Sequence, residues 1–266
     1  MQSKKVQYRS EFLKKIKRHV RRNFGEKLYL RVLNAEKNKI KNQNKIQIPF
    51  IIKFAKLKKK LKLLDIGCGT GGATVAWSLK GLDCTGIDLI KEDLNIAKLR
   101  AKAQEINPRF IKVSGTHLPF KQDTFDIIIC DQVLEHTPNF KKTIKEIKRV
   151  AKKNAIIYID MPNKFFPVEP HYKLFFIHWI PKKLQRIYLK LRKRKKLYYP
   201  IKLRTYFELK KEINKQNFEI LATTQNYIKE ILDYSCFKNI AAKILNKLGV
   251  PFFIFSPTIQ FILKKK

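Results

Sequence analysis

Leu64-Asp65-Ile66-Gly67-Cys68-Gly69-Thr70-Gly71-Gly72 is the stretch on which the fold turns. Leu61 to Ile66 is a short, mostly apolar run that reads as a strand, and Gly71 to Leu79 reads as a helix. The glycines therefore fall between a strand and a helix, where they let the backbone turn sharply and let a ligand approach it closely. About 20 residues on, at the end of a second predicted strand (Asp83 to Ile87), stands Asp88, a carboxylate placed to accept both hydroxyls of a ribose. Gly67, Gly69 and Gly72 also satisfy the GxGxxG dinucleotide pattern, so a nicotinamide cofactor has to be weighed. The feature that discriminates is Asp65, two residues before the first glycine.

Asp65, Gly67, Gly69 and Gly71 match the acidic-x-Gly-x-Gly-x-Gly motif, and here the sequence resembles the class I S-adenosylmethionine-dependent methyltransferases. Ser114-Gly115-Thr116-His117-Leu118-Pro119-Phe120, Phe125-Asp126-Ile127-Ile128-Ile129-Cys130 and Val133-Leu134-Glu135-His136 resemble motifs of the subgroup that contains the ubiquinone and menaquinone methyltransferases. The resemblance covers Leu61 to Asp160 well and Thr205 to Lys266 loosely. It implies S-adenosylmethionine as cofactor, with its amino acid end on a loop of Asp65, Gly67, Cys68, Gly69 and Gly71. Asp88 and Leu89 then lie at the ribose, Ser114, Gly115 and Thr116 at the adenine, and Asp131 completes the implied set. The family usually has an aspartate where this chain has Ser114, a weaker acceptor, which leaves adenine contacts to the backbone of Gly115 and Thr116.

Outward from this core, strands and helices alternate. Lys91 to Glu105 reads as a helix with Leu94, Ala97, Ala101 and Ile106 near one face, and Phe110 to Val113 as a third strand. Phe125 to Cys130 has the β-branched, continuously apolar character of a buried parallel strand. Thr137 is the expected cap of the next helix, with Pro138 at its first position and Ile144, Ile147 and Val150 on its buried face. Ala155 to Ile159, Phe218 to Thr223 and Thr258 to Leu263 complete an expected sheet, and Thr205 with Glu208 forms a capping-box pattern before Leu209 and Ile213. The expectation is an α/β, Rossmann-like, doubly wound and mostly parallel sheet of about seven strands. It is divided into a basic helical N-terminal extension (1–60), a cofactor-binding core (61–160), an aromatic and basic insertion after the fifth strand (161–204) and a C-terminal completion of the core (205–266). Within the extension, Tyr8 to Phe24 and Glu26 to Lys41 read as two helices, Asn42 to Lys45 as a polar break, and Ile48 to Lys58 as a helix leading into the core.

Methyl transfer to a hydroxyl needs a proton acceptor, and a histidine suits that task near neutral pH. His136 lies just past the fourth strand, at the edge where open α/β sheets bind ligands. Its other reading is a helix-start residue that packs or caps. His171, with Glu169 and Tyr172, is the candidate acceptor contact within the insertion. Glu135, His136 and His171 resemble part of the metal site of the methyltransferases that act on the terminal ribose of small RNAs. Gln132 stands where that pattern wants a glutamate, and a neutral amide is a poor substitute, so no metal is expected. His178 and Trp179 read as ordinary lid packing.

The formal charge of +38 admits two readings, an anionic partner or a lysine-rich background that has reached this chain too. Lys182 to Arg204 has no acidic residue and interleaves Ile187, Tyr188, Leu191, Leu197 and Tyr198 with cations, among them Arg192, Lys193, Arg194, Lys195 and Lys196. Such a segment lies at an anionic membrane interface or binds RNA phosphates, and its apolar content favours the membrane. Cys68, Cys84, Cys130 and Cys236 form no CxxC pair, the N-terminus lacks the apolar stretch of a secretory signal, and no run is apolar enough to span a bilayer. A cytoplasmic protein, peripheral at the inner membrane face, is the expectation. The expected acceptor is a small molecule, lipid or glycan methylated on oxygen; RNA methylation and a non-catalytic cofactor-binding module are the alternatives.

Overall fold

The computed structural model describes residues 2–58, 60–168, 174–191, 201–226 and 256–266. At its centre is a seven-stranded sheet in the order β3-β2-β1-β4-β5-β7-β6. The strands are β1 (Lys62–Ile66), β2 (Asp83–Asp88), β3 (Arg109–Lys112), β4 (Phe125–Asp131), β5 (Ala151–Pro162), β6 (Phe218–Thr223) and β7 (Thr258–Lys265). The first five are mutually parallel, and β7 runs antiparallel between β5 and β6. The sheet is therefore mixed and mostly parallel, the Rossmann-like α/β architecture expected from the sequence.

Strand periodicity divides the core. Leu64, Ile66, Ile128, Cys130, Ile157, Ile159, Phe261 and Leu263 face one layer. Leu63, Ile127, Ile129, Ile156, Tyr158 and Ile262 face the other. Because successive side chains point to opposite faces and both faces are covered, the central strands carry continuous apolar runs, Ile127 to Cys130 in β4 and Ala155 to Ile159 in β5. The first layer is closed by α6 (Phe140–Val150), through Ile144, Ile147 and Val150, and by α8 (Tyr206–Lys215), through Leu209 and Ile213. The second is closed by α3 (Ile48–Ile52) and by Trp77 of α4 (Gly72–Ser78). The Thr205–Glu208 capping box is present at the start of α8.

Several local expectations are corrected. The two N-terminal helices are one, α1 (Gln2–Lys37), which runs through Gly25. Phe12, Ile16 and Val20, four residues apart, pack with Leu33 on Ile96 and Leu99 of α5 (Lys91–Lys102), and this burial outweighs the cost of about 1 kcal/mol for a helical glycine. The polar break is also helical: α2 (Lys39–Asn42) passes into a π-helical turn (Gln43–Gln47) and then into α3, which stops at Ile52. The cap of α6 is Asn139, whose side chain accepts from the Lys142 N–H, whereas the Thr137 hydroxyl turns back to the Leu134 carbonyl. After β5 the insertion is closed at its base by a bridge between Asn163 and Arg204 and carries α7 (Lys182–Leu191). Glu169, His171, Tyr172, Arg192, Lys193, Arg194, Lys195, Lys196, Leu197, Tyr198 and Cys236 lie outside the described residues. Among the described residues no helix is long and apolar enough to cross a membrane.

Candidate functional site

The chain leaves β1 in one direction across the sheet and β4 in the other, so the carboxyl ends of β1 and β4 form the switch point at which open α/β sheets bind ligands. The glycine loop lies there. Gly69 and Gly71 are both left-handed, with φ of +49° and +78°. A Cβ on Gly71 would stand 2.6 Å from the Ala97 Cβ, whereas one on Gly69 would meet nothing within 4 Å. Gly71 thus lets the loop pack on α5, and Gly69 faces open space.

Asp65 and Asp88 shape this loop. Asp65 is buried, and its Oδ2 accepts from the Thr74 N–H at 3.0 Å and the Thr74 hydroxyl at 2.6 Å. It caps the first turn of α4 from the neighbouring strand, because the N-cap itself is Gly71, which has no side chain to offer. Burial pushes the Asp65 carboxyl up to about 7, against the lowering effect of Thr74. Asp88 accepts from Gly69 N–H through Oδ2 and from Ile90 N–H through Oδ1, both at 2.9 Å. A carboxylate offers about four lone-pair positions, so Asp88 keeps acceptor capacity for a ligand. Cys68 gives its N–H to the Ile87 carbonyl, and its thiol packs against Gly86 of β2. Leu89 is exposed at the end of β2.

The Ser114 hydroxyl bonds within its own turn, to Thr116 Oγ1 at 2.9 Å and from the Thr116 N–H at 3.3 Å, and Gly115 sits close over Ile66 of β1. This loop is braced from α6: Glu146 accepts from the Leu118 N–H, while Arg149 donates to the carbonyls of Leu118 and Phe120. The Arg149 hydrogen bond, helped by Leu118 N–H, draws the Glu146 carboxyl down to about 2.

At the end of β4 the implied cofactor ligand Asp131 is paired in register with Asp160 of β5. Asp131 accepts from the Gln47 side chain, and burial raises its carboxyl. Asp160 accepts from Gln132, Tyr158 and Gln260, yet burial and the neighbouring Asp131 raise it to about 7. Gln132, read as a missing metal ligand, therefore serves as a donor that joins β4 to β5. Glu135 is buried, its Oε2 has no hydrogen-bond partner among the described residues, and burial lifts it to about 8. His136 is 41% exposed, with Nε2 3.7 Å from Glu135 Oε1. Among the described residues no group of three or more His, Cys, Asp or Glu could hold a metal ion.

Sequence reasoning missed a strap across the loop. Arg100 of α5, only 2% exposed, donates to the Thr70 carbonyl, the Thr70 hydroxyl, the Glu36 carbonyl and the Glu36 carboxylate. Glu36 accepts from the Thr70 hydroxyl at 2.6 Å and pairs with Lys39. Burial opposes ionisation of Glu36, but Lys39, Thr70 and Arg100 together hold its carboxyl below the ordinary value. The N-terminal extension thus grips Thr70, in the middle of the glycine loop. The one signal in the sequence was a cation at position 100 among the apolar positions of a core-facing helix.

Residues 64–159 match the family model described as "Methyltransferase domain". That match falls on the core strands and the glycine loop, and it supports the resemblance of the loop motif to the class I S-adenosylmethionine-dependent methyltransferases. Among curated relatives, a norajmaline N-methyltransferase of Rauvolfia serpentina is 38% identical over 105 residues, 38% of this chain and 36% of the relative. A ubiquinone biosynthesis O-methyltransferase of Pelagibacter ubique is 32% identical over 141 residues, 49% of this chain and 58% of the relative. The chain spans about half the length of the curated relatives it matches or less. The crystal structure of a SAM-dependent methyltransferase from Aquifex aeolicus superposes with a TM-score of 0.52 at 16% identity, over 82% of this chain and 88% of that one, and shares the fold.

Proposed function

We propose that this chain transfers a methyl group from S-adenosylmethionine to an oxygen of a small-molecule, lipid or glycan acceptor at the carboxyl edge of its sheet. The observation that carries the cofactor is the place of the Asp65 carboxyl group. Asp65 already occupies the first turn of α4 with a carboxyl group, so a pyrophosphate there would meet an acid where a dinucleotide fold presents bare N–H groups. Asp65, Asp88 and Asp131 around the switch point suit a ligand that carries an ammonium and a sulfonium. The residues present therefore fit S-adenosylmethionine better than NAD. Asp88 would hold the ribose, the open side of Gly69 the amino acid end, and the turn from Ser114 to Thr116 the adenine.

When bound, S-adenosylmethionine supplies a methyl group on a positively charged sulfur with a neutral leaving group. Much of the remaining catalysis is then positioning. Arg100 and Glu36 keep the loop in place through Thr70. His136, at the acceptor side, takes the proton of the acceptor hydroxyl, with Glu135 behind it. The ubiquinone O-methyltransferase among the relatives supports oxygen as target, and the norajmaline enzyme makes nitrogen the outcome to test against it. The setting proposed is cytoplasmic.

Thermal unfolding with S-adenosylhomocysteine tests the cofactor: a hundredfold excess over the dissociation constant adds about 2.7 kcal/mol, and NAD adds nothing. Stabilisation by NAD alone would overturn the assignment. Methyl-labelled S-adenosylmethionine with lipid, glycan and RNA extracts then identifies the acceptor. Label entering RNA alone would replace the small-molecule reading.

A further inference from the structure

The segment after β5 leaves the sheet at its carboxyl edge, the edge on which the candidate site lies. Leu174 and Ile177 anchor it in the interior. Phe175, Phe176 and Trp179 turn outward instead, 55%, 48% and 49% exposed, so the lid packing expected of Trp179 covers only about half of its surface. Their rings form a cluster, with centroids 6.3 Å apart for Phe175–Phe176 and 5.2 Å for Phe176–Trp179. Trp179 donates its indole N–H to the Lys164 carbonyl at 3.1 Å, which fixes the ring two residues beyond the end of β5. In α7, Leu184, Ile187 and Leu191 stand three and four residues apart on one helical face and are 50%, 56% and 77% exposed. From Leu174 to Leu191 there is no Asp or Glu, and the cations are Lys182, Lys183, Arg186 and Lys190.

We propose that the Phe175–Phe176–Trp179 knuckle and the Leu184–Ile187–Leu191 face of α7 dock on an anionic bilayer, and that the methyl acceptor is an amphiphile reached from that surface. Single exposed apolar residues are ordinary, but six large ones concentrated in one short segment mark an interaction surface. Aromatic rings, an aliphatic helix face and lysines without acidic neighbours are what the boundary between acyl chains and anionic headgroups accommodates. RNA would reward the cations and the rings but leave the aliphatic stripe in water. A second copy would bring a like charge of +38 against the first. The docking half stands independently of the chemistry; the acceptor half rests on the methyltransferase reading, because the surface adjoins the end of β5, beside Asp160 and Asp131.

The test uses the full chain with vesicles of phosphatidylcholine alone or with added phosphatidylglycerol. The chain has two tryptophans, and Trp77 is fully buried, so Trp179 reports on the surface. Anionic vesicles should shift the emission to the blue, protect it from acrylamide and co-sediment the protein, and pure phosphatidylcholine should not. Added salt to about 0.5 M should weaken the binding. Ile187→Asp with Leu191→Asp should lower partitioning at least tenfold while S-adenosylhomocysteine stabilises the variant as it does the wild type. Trp179→Leu should keep sedimentation and lose the spectral shift. Equal sedimentation of the double variant overturns the proposal, as does binding of an RNA oligonucleotide without binding of vesicles. A dimer that Ile187→Asp dissolves, with no vesicle binding in the wild type, also overturns it. Vesicle binding without any stabilisation by S-adenosylhomocysteine supports the docking surface and removes the methyltransferase reading instead.

Discussion

Alanine at Gly69 and alanine at Gly71 should produce opposite defects, although the two glycines are two residues apart in one loop. Both have positive φ, so either substitution costs about 1–2 kcal/mol of backbone strain. At Gly71 the added Cβ also meets the Ala97 Cβ at 2.6 Å, the Ala97 Cα at 3.0 Å and Phe110 Cζ at 3.2 Å. Overpacking of that kind costs a further ~1–3 kcal/mol, because a helix backbone has to shift. Gly71→Ala should therefore lose about 2–5 kcal/mol, a large part of a domain's stability, and Gly69→Ala only about 1–2 kcal/mol. At Gly69 the Cβ enters the open space where the cofactor's amino acid end is proposed to lie. S-adenosylhomocysteine should then bind Gly69→Ala at least about tenfold more weakly, or about 1.4 kcal/mol. Urea unfolding and calorimetric titration separate the two effects. Ala97→Gly should relieve part of the Gly71→Ala defect in a double-mutant cycle and none of the Gly69→Ala defect. Equal destabilisation by both alanines, with unchanged affinity in Gly69→Ala, would falsify this account of the loop.

Asp88→Ala should weaken S-adenosylhomocysteine binding by about 1.5–3 kcal/mol, the range for hydrogen bonds to a charged group; unchanged calorimetric affinity in a folded variant removes Asp88 from the site. Arg100→Met leaves the Glu36 carboxylate buried without its guanidinium and should cost about 3–5 kcal/mol in urea, with much of the loss recovered when Glu36→Gln is added. Full loss in both variants would show that the pair is not what holds the strap. Burial pushes the Glu135 carboxyl up to about 8 in the folded chain, against about 4.3 for an exposed glutamate, so between these values the folded state holds the extra proton. Its contribution to stability is complete below the unfolded value and is lost as pH rises through about 8. Glu135→Gln should therefore gain on the wild type from pH of about 5 to about 8.5 in urea midpoints, and parallel curves across that window would count against the buried carboxyl.

The glycine loop, the alternation of strands and helices and the acids at positions 65 and 88 were legible in the chain because they depend on local rules, whereas the strand order, with β7 antiparallel between β5 and β6, was not. A cluster of glycines ends a strand in a turn, a left-handed backbone favours glycine, and strands buried on both faces are rich in apolar residues. The same rules located the capping box at Thr205 and Glu208, since a cap involves residues three apart. They failed at the N-terminal extension, where the joining of two helices through Gly25 is decided by contacts with Ile96 and Leu99, far along the chain. They also assigned Thr137 the role that Asn139 fills. What only the tertiary structure decided is the set of partners. Glu36, Thr70 and Arg100 meet because α1 lies on α5, and Asp131 meets Asp160 and Gln47 because β4 lies beside β5 and under the π-helical turn. The exposure of Trp179, Ile187 and Leu191 belongs to this second group as well. An apolar residue in a sequence is equally consistent with a core and with a docking face, and only the packing around it shows which face the described residues leave uncovered.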